Sequence, residues 1–412
     1  MSEIAEVRPQ VLYGLPAEVR FCTRCVMSNQ RPASVPEYKH TPDSRKTTLR
    51  LDDSGVCDAC RQAETKQQID WQAREQELLR LLDKHRRTDG QYDCVVPGSG
   101  GKDSCYAAHV LKYKYGMHPL TVTWPPILYT DYGYRNFLNW LTVGGFDNVS
   151  FRPNGRVMKL LTRLSIENLF HPFQTFILGQ KSIAAKIAAD VGVPLVFYGE
   201  NEAEYGNPIA DNTSSLRDRA YHTLGDVHDT YLAGVSIAEL MERYELNLAD
   251  LRPFLPADAS KVDRVSVEVH YLGYYLKWTP QEVYYYATEH TGFQARPFRT
   301  QGTYSKYNSI DDKIDDLHYY TTYIKFGIGR ATYDASQEIR NGHLTRDEGV
   351  ALVKRFDGEF PDRYFNEVMD YLGMSPEYFH ELADRFRSPH LWTQIDGPWR
   401  LRHTVAGDGA GD

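Results

Sequence analysis

The chain of 412 residues is 42% hydrophobic and 25% charged, a globular balance that excludes global disorder. It contains no run of about 18 apolar residues, and its first segment has no apolar secretory core, so we expect a cytoplasmic protein without a membrane span. The net charge of −8 argues against a protein that mainly binds the phosphate backbone of a nucleic acid, and we expect no nucleic-acid partner.

Cysteines mark the N-terminal part of the chain. Two CxxC pairs account for four of the six cysteines: Cys22 and Cys25, then Cys57 and Cys60. Two such pairs supply the four thiolates of a tetrahedral Zn²⁺ site, and a structural ion would order a segment that has few large apolar residues. A redox-active CxxC pair is the main alternative. We expect Cys94 and Cys105 to be structural.

Helical and strand patterns follow in alternation. Residues 61–87 lack Gly and Pro and repeat apolar side chains near the helical period, which predicts one amphipathic helix. Strands are predicted at 92–96, 120–124, 148–152 and 194–198, and helices at 103–115 and 174–191. The alternation predicts an α/β fold with a doubly wound parallel sheet. Right-handed crossovers then place the loops that bind ligands at the carboxyl edge of this sheet.

We expect four parts along the chain. An N-terminal zinc-binding segment with four cysteines and a linker helix is predicted at 1–90. An ATP-binding α/β domain is predicted at 91–265, with an insertion of weak periodicity from about residue 201. A mostly helical region for substrate or partner follows at 266–405. The glycine-rich tail 406–412 is expected to be disordered.

The glycine-rich string VVPGSGGKDS at 95–104 lies where a strand turns into a helix. Glycines let backbone N–H groups approach an anion, the helix N-terminus adds its positive dipole end, and Lys102 adds a charge. The string is not a Walker A loop, because Asp103 stands where that motif has Ser or Thr. We therefore expect a phosphate cradle made of these residues: Ser99, Gly100, Gly101, Lys102, Asp103 and Ser104.

A second group of candidates surrounds the string YGENEAEYG, which follows the strand at 194–198. Glu200 can hold Mg²⁺ or orient a nucleophile, and Asn201 can bond an amide. An exposed acidic loop is the alternative. Further predicted ATP contacts are Gly199 in this string, Lys181 on the preceding helix, and Thr123 and Trp124 at the end of the second strand.

The C-terminal third offers candidates for substrate binding. Lys306 and Asp311 lie in a non-periodic run of charges and hydroxyls, and Lys325 and Arg330 flank two flexible glycines. Either pair can contact an acidic sugar nucleotide, and solvated surface is the alternative. Packing is favoured over sugar binding for the tyrosines near Trp278.

The strings of the chain, taken in order, resemble a known family. SGGKDS resembles the PP-loop of the ATP pyrophosphatases, which argininosuccinate, GMP and NAD synthetases and tRNA thiolases share. Together with FCTRCVMSNQRP, GVCDAC, YGENEAEYG and KFGIGRATYDASQEIRNGHLTRDEG, it resembles the N-acetyl sugar amidotransferases of surface-polysaccharide biosynthesis, the WbpG and PseA type. The likeness runs from about residue 20 to 390. Pro97 before the loop is an unusual departure.

The resemblance implies a sheet of the PP-loop pyrophosphatase (HUP-like) type and a C–N ligase reaction. An acetamido group of a nucleotide-activated sugar would become an acetamidino group through an adenylylated imidate, with ATP and Mg²⁺ giving AMP and pyrophosphate, in O-antigen, capsule or flagellin glycan synthesis. Lys102, Asp103, Glu200 and Asn201 would be the catalytic residues. Ammonia would come from a separate glutaminase, which agrees with the absence of a cysteine at position 2 or on a glycine elbow.

Two other functions stay open at this point. A PP-loop tRNA thiolase or sulfurtransferase also combines such a loop with zinc knuckles, but it needs a basic groove and a reactive sulfur carrier. The net charge of −8 counts against it. A nucleotide-sensing zinc scaffold that binds ATP without turnover is the non-enzymatic alternative.

Overall fold

A parallel β-sheet forms the centre of the molecule in the computed structural model, which describes residues 9–34, 37–205, 214–224, 227 and 229–408. The strands, in chain order, are β1 Cys94–Pro97, β2 Pro119–Thr123, β3 Asn148–Ser150, β4 Leu195–Tyr198, β5 Thr223–Leu224, β6 Tyr231–Leu232, β7 Val235–Ser236, β8 Ala257–Asp258, β9 Glu268–Tyr271, β10 Trp392–Gln394, β11 Trp399–Leu401, β12 His403–Thr404 and β13 Gly407–Asp408. Five of them form the central sheet in the order β3-β2-β1-β4-β9.

The order of the strands fixes where a ligand can bind. β1 pairs in parallel with β2 on one side and with β4 on the other, where Val95 lies opposite Val196. The chain therefore runs outward from β1 through β2 to β3 and then returns to the other side of β1. In open α/β sheets, such a reversal leaves a crevice between the two loops at the carboxyl ends of the strands. Here those loops follow β1 and β4.

Helices cover both faces of the sheet. They are α1 Asp58–Gln67, α2 Trp71–His85, α3 Lys102–His109, α4 Asp131–Thr142, α5 Gly155–Leu169, α6 Gln174–Val191, α7 Ile237–Arg243, α8 Leu248–Leu251, α9 Ala259–Val265, α10 Leu272–Tyr275, α11 Pro280–Thr291, α12 Asp315–Phe326, α13 Arg330–Arg340, α14 Arg346–Phe356, α15 Asp362–Leu372 and α16 Pro376–Phe386. A π-helical turn, Val110–Lys114, continues α3. Among the described residues, no helix is both long and apolar enough to cross a membrane.

Successive side chains of the central strands point to opposite faces of the sheet and pack into two separate hydrophobic clusters. Val95 and Val196 point into a cluster with α5, α6 and the C-terminal helices. Val96 and Phe197, on the opposite face, join a cluster with α2, α3 and α11. Both faces are buried, so the central strands are apolar throughout, as parallel sheets require. The predicted α/β fold class with a doubly wound parallel sheet is confirmed.

Some predicted elements differ in their bounds. The single helix expected at 61–87 is two helices, because the Asp70 carboxylate accepts a hydrogen bond of 3.0 Å from the N–H of Ala73 and starts α2 as its N-cap. β9 and the helices α4 and α5 were not predicted. Within the expected tail, residues 406–408 form the turn and second strand of the β12-β13 hairpin, and 409–412 lie outside the described residues.

The insertion from residue 201 returns the chain to the sheet. Its described parts include the short parallel pair β5-β8 and the hairpin β6-β7. After α9 the chain enters the sheet as β9, whose register places Val269 opposite Val196. The insertion therefore ends by adding an edge strand beside β4.

We expect the C-terminal helices to depend on their aromatic contacts with α5. Phe379 is fully buried and stacks on Phe170 at 5.4 Å between ring centroids. Phe379→Ala should lower the free energy of unfolding by about 3–5 kcal/mol, because a large cavity opens in packed surroundings. The exposed Tyr285→Ala is the matched control and should change it by less than about 0.5 kcal/mol. Equal effects of the two variants in chemical denaturation would contradict this.

Candidate functional site

The crevice between the β1 and β4 loops opens into a cavity of about 570 Å³. Four parts of the chain line it: the cysteine-rich segment, the glycine-rich loop, the β4 loop, and the stretch from Tyr307 to Arg340. The predicted candidates among its lining residues are Ser99, Gly100, Gly101, Lys102, Asp103, Lys181, Glu200, Asp311 and Arg330. The expectation that the loops after two strands meet at one edge is therefore met by the geometry.

The glycine-rich loop is held in place by α4. Gly100 has a φ of +86°, and a Cβ atom there would lie 2.6 Å from the Cα of Phe137. A side chain is excluded on both grounds. Gly101 is the N-cap of α3 and leaves the first helical turn without a side-chain cap, so its N–H groups and the helix dipole are available to an anion.

Hydroxyl groups of the loop already have partners. The Oγ of Ser99 donates to Oδ2 of Asp311 at 2.7 Å, which joins the loop to a segment more than 200 residues away in the chain. The Oγ of Ser104 donates to the carbonyl of Gly101 at 2.9 Å and stabilises the first turn of α3. Ser99 lines the cavity, whereas Ser104 does not line it and stabilises the loop through its bond to Gly101.

Lys102 and Asp103 form a fixed pair at the start of α3. The Nζ of Lys102 lies 2.7 Å from Oδ2 of Asp103, and Nε1 of Trp278 donates to Oδ1 of the same carboxylate at 3.0 Å. Lys102 is buried and lies 5.5 Å from the centroid of the Trp278 ring. The indole therefore holds the carboxylate while its ring face favours the ammonium group. This arrangement was not visible in the sequence.

The loop after β4 presses against this same turn. A Cβ atom at Gly199 would lie 2.7 Å from the carbonyl oxygen of Asp103, so only glycine allows the close approach. Gly199, a predicted ATP contact, allows the β4 loop to approach the start of α3 closely and so brings Glu200 next to the glycine-rich loop.

Two glutamates of the β4 loop have opposite electrostatic environments. Burial, and then the nearby charge of Asp103, raise the pKa of Glu200 to about 8, and the hydroxyl of Tyr205 donates to its carboxylate. Burial also opposes ionisation of Glu202, but the charges of Lys181 and Arg217 outweigh it and lower its pKa. Sequence reasoning missed Glu202, which binds Lys181 and lies 3.3 Å from Arg217.

A second set of carboxylates faces the loop from the C-terminal region. Asp311 accepts the hydrogen bond of Ser99, and Asp315 lines the cavity beside it. Burial, and then the charge of Asp311, raise the pKa of Asp315 well above its ordinary value. Carboxylate oxygens suit Mg²⁺, which is commonly bound by one or two carboxylates together with substrate phosphates. Asp103, Glu200 and Asp311 are the predicted candidates whose carboxylates line the cavity.

Several predicted contacts lie elsewhere. Trp124 is 2% exposed and packs against Phe151 and Phe254, and the hydroxyl of Thr123 accepts from Asn148 inside the sheet. Neither of these predicted adenine neighbours is among the residues that line the cavity. The physical reason is that α6 crosses directly over Trp124 and covers it.

Two more candidates serve local structure. The Oδ1 of Asn201 accepts from the N–H of Ala203 at 3.1 Å and caps a short turn, and Asn201 does not line the cavity. Lys306 is exposed and is also absent from the lining. An asparagine that begins a turn satisfies the backbone first, since unpaired N–H groups are costly.

Lys325 and Arg330, the basic residues on either side of the Gly-Ile-Gly stretch, line two different cavities. Arg330 lines the cavity and is 3.0 Å from Oδ1 of Asp334. Lys325 instead donates to the carbonyl of Leu169 at 2.6 Å and lines a neighbouring cavity of about 330 Å³. Burial lowers the pKa of Lys325 to about 7. Its prediction as a substrate contact of the main site is corrected.

The four cysteines converge as predicted. Their sulfur atoms lie within 4.8 Å of one another, with 3.8 Å between Cys22 and Cys60 and 3.7 Å between Cys25 and Cys57. A tetrahedron with metal–sulfur bonds of about 2.3 Å has edges of about 3.8 Å, so these residues fit a single Zn²⁺ ion. All four are buried, and N–H groups of Arg24, Cys25 and Cys57 point at the sulfur of Cys22.

We expect one zinc ion per chain, because the four thiolates already stand at tetrahedral spacing. Cys57→Ser should remove most of the bound metal and lower the thermal midpoint by several degrees, since a structural ion contributes folding free energy. Cys105→Ala is the control and should keep the metal, because Cys105 is buried in the other packing cluster. Elemental analysis of the purified variants gives the result. Full metal content in Cys57→Ser would contradict the assignment.

We also expect Glu200 to titrate near pH 8 instead of near its ordinary value of 4.5. The folded protein then keeps a proton in this interval that the unfolded chain has released. Its free energy of unfolding should therefore fall more steeply with rising pH than that of Glu200→Gln. Carbon NMR of protein labelled at glutamate carboxyls should show a signal with this midpoint that is absent from Glu200→Gln and present in Glu242→Gln. A Glu200 midpoint near 4.5 would count against the described environment.

Comparisons with known proteins place this chain as follows. Residues 301–405 match the family model described as "LPS biosynthesis protein WbpG-like, C-terminal domain". No curated protein matches the chain. Similar solved structures include the U34-tRNA thiolase NcsA of Methanococcus maripaludis, with 12% identity over 69% of this chain and 78% of that one and a TM-score of 0.31.

Two further solved structures are similar at the same level. One is described as a predicted subunit of tRNA methyltransferase from Methanocaldococcus jannaschii, with 15% identity over 59% of this chain and 92% of that one and a TM-score of 0.28. The other is the NMN synthetase of Francisella tularensis, with 16% identity over 56% and 89% and a TM-score of 0.26. These TM-scores are low, so the fold assignment rests on the strand order and the loop. The match at 301–405 agrees with the resemblance to the WbpG type for this part of the chain.

Proposed function

We propose that this chain is an ATP-dependent amidotransferase that converts an acetamido group of a nucleotide-activated sugar to an acetamidino group in surface-polysaccharide biosynthesis. One observation carries the proposal: the phosphate loop and the WbpG-like region line a single cavity and are joined by the hydrogen bond from Ser99 to Asp311. Whatever the C-terminal region binds is therefore presented directly to the phosphates held by the loop.

The reaction that fits this arrangement has two steps. In the first, the acetamide oxygen attacks the α-phosphorus of ATP, pyrophosphate leaves, and the amide nitrogen loses its proton, which gives an adenylylated imidate. In the second, ammonia adds to the imidate carbon and AMP leaves with the former amide oxygen. Ammonia loses one proton overall, and the sugar gains NH in place of oxygen.

The loop supplies charge stabilisation in the first step. Negative charge develops on the leaving pyrophosphate, and the N–H groups at Gly100 and Gly101, the dipole of α3 and the ammonium of Lys102 are oriented before the reaction. Mg²⁺ would neutralise phosphate charge when held by Asp103 and Asp311. Asp103 also fixes Lys102, so the two residues act as one positioned unit.

Glu200 has the properties of the proton acceptor in the second step. It lines the cavity next to the phosphate loop, and its pKa of about 8 lies close to neutrality. A group with such a pKa can accept a proton from attacking nitrogen and release it again without a large penalty in either direction. Glu202 forms an ion pair with Lys181 beside it.

The thiols of the chain support an external source of ammonia. A glutaminase needs a reactive thiolate, but four of the six cysteines form the metal cluster and the other two are fully buried. Burial raises the pKa of Cys105 to about 12 and also raises that of Cys94. Neither thiol suits glutamine hydrolysis or sulfur transfer. This favours a separate glutaminase partner, and it disfavours the thiolase alternative.

The decisive experiment is incubation with ATP, ammonium and a panel of acetamido sugar nucleotides. We expect AMP and pyrophosphate in equal amounts and a product one dalton lighter than its substrate, because oxygen is exchanged for NH. Lys102→Ala should reduce turnover by roughly 10²–10³, the loss typical of one preorganised donor. Lys159→Ala, an exposed lysine far from the cavity lining, is the control. Formation of ADP, or normal turnover by Lys102→Ala, would refute the proposal.

A further inference from the structure

Arg31 is a buried cation in the wall of the main cavity. Its residue is 2% exposed, and its guanidinium lies 5.4 Å from the centroid of the Tyr333 ring. Nη2 donates to the hydroxyl of Ser34 at 3.0 Å, but Nη1 is buried without any hydrogen-bond partner among the described residues. A buried donor left unpaired is costly, so an acceptor from outside the chain is expected there.

Arg340 brings a second guanidinium to the same place. It lines the cavity from the last turn of α13 and donates from Nη2 to the carbonyl of Glu204 at 3.0 Å. Besides burial, which is the largest cause, the charge of Arg340 helps to lower the pKa of Arg31, so the two cations repel each other. Within the described part of the chain, neither forms an ion pair with a carboxylate.

Gln337, on the same helix as Arg340, adds a second unpaired donor. Its Nε2 is buried and has no partner among the described residues, and the residue lines the cavity. Tyr333, Gln337 and Arg340 are spaced by four and three positions, which puts them on one side of α13. Unpaired donors of Arg31 and Gln337, from two distant parts of the chain, therefore line the same cavity.

The remaining cations of the cavity are different. Lys102 is paired with Asp103, Lys181 with Glu202, and Arg330 with Asp334. Their charges are balanced within the protein. The unbalanced positive charge is thus confined to Arg31 and to Arg340, which lies on the helix that belongs to the WbpG-like region.

The cysteine cluster offers a competing explanation for one of these residues. Four thiolates around Zn²⁺ leave a net negative charge, and Cys57 is near enough to Arg31 to affect its pKa in the opposite sense to Arg340. The cluster does not account for the unpaired amide of Gln337 or for Arg340, which lines the cavity from α13.

We propose that Arg31, Gln337 and Arg340 form a second anion site in this cavity, separate from the phosphate loop, and that it binds the phosphoryl groups of the acceptor sugar nucleotide. The proposal rests on the proposed function for the identity of that substrate. Guanidinium groups bind phosphate oxygens through paired N–H donors, and an amide donor completes the set. The loop then holds the phosphates of ATP while this site holds those of the acceptor, and the acetamido group lies between them.

Binding without turnover tests the site directly. The protein is first saturated with α,β-methylene-ATP to fill the loop, and is then titrated calorimetrically with inorganic pyrophosphate, UDP-N-acetylglucosamine, N-acetylglucosamine or glucuronate. We expect the two phosphorylated probes to bind and the neutral sugar not to bind. Arg31→Gln and Arg340→Gln should each weaken the phosphorylated probes roughly 10–100-fold, as for hydrogen bonds to charged groups. Affinity for the ATP analogue should change by less than about three-fold.

Arg50→Gln is the matched control, because Arg50 is an exposed arginine of the same N-terminal segment. The proposal is overturned if the loaded protein binds neither phosphorylated probe, if glucuronate alone shows the arginine dependence, or if both variants weaken the ATP analogue equally. Loss of zinc in Arg31→Gln with normal probe binding in Arg340→Gln would assign Arg31 to the cluster and also overturn it.

These experiments distinguish failure of the anion site from failure of the proposed amidotransferase reaction. Arginine-dependent binding without amidino product from any acetamido sugar nucleotide would leave the anion site in place and remove the proposed reaction. Amidino product formed by Arg340→Gln with an unchanged KM would leave the reaction in place and remove the site.

Discussion

The contact between Gly199 and the carbonyl of Asp103 is the constraint on which the site depends. A Cβ atom at this position would lie 2.7 Å from that oxygen, so the end of β4 meets the first turn of α3 only through glycine. The contact closes the crevice at the point where the strand order reverses and sets Glu200 beside Lys102 and Asp103. Charge of both signs is thereby concentrated around the uncapped helix start. Burial, and then the charge of Asp103, raise the pKa of Glu200 there, against the effect of Lys102.

The three parts of the chain meet at this point and do not act as independent modules. The cysteine cluster positions Arg31, the sheet presents the phosphate loop, and the C-terminal region contributes Asp311 and the face of α13. The cysteines even share a packing cluster with Val95 of the central strand. A metal ion bound by the four cysteines would therefore order one wall of the cavity.

The sequence predicted well those features that depend on neighbouring residues. The glycine-rich loop lies at a strand–helix junction because its glycines and the helix start are neighbours in the chain. The CxxC spacing brings together the two sulfurs of each pair for the same reason, and tertiary folding then brings the two pairs together. Side-chain direction was not predictable. Trp124 and Lys325 are oriented by helices that pack over them, and Asn201 by a turn that needed its cap. Arg31 and Arg340 were missed, since only the tertiary fold brings these two distant parts of the chain together.

The distribution of charge gives the strongest argument for turnover over mere nucleotide sensing. A protein that only retains ATP gains from unpaired cations at the loop, yet Lys102 is already paired with Asp103 and lies against Trp278. Pairing with Asp103 weakens the attraction of Lys102 for a phosphate in the ground state. The ammonium group is nevertheless held rigidly, so it stabilises the transition state most, when extra charge develops on the leaving pyrophosphate. The unbalanced cations lie instead on the opposite wall, where a second substrate would have to be captured and aligned with the first.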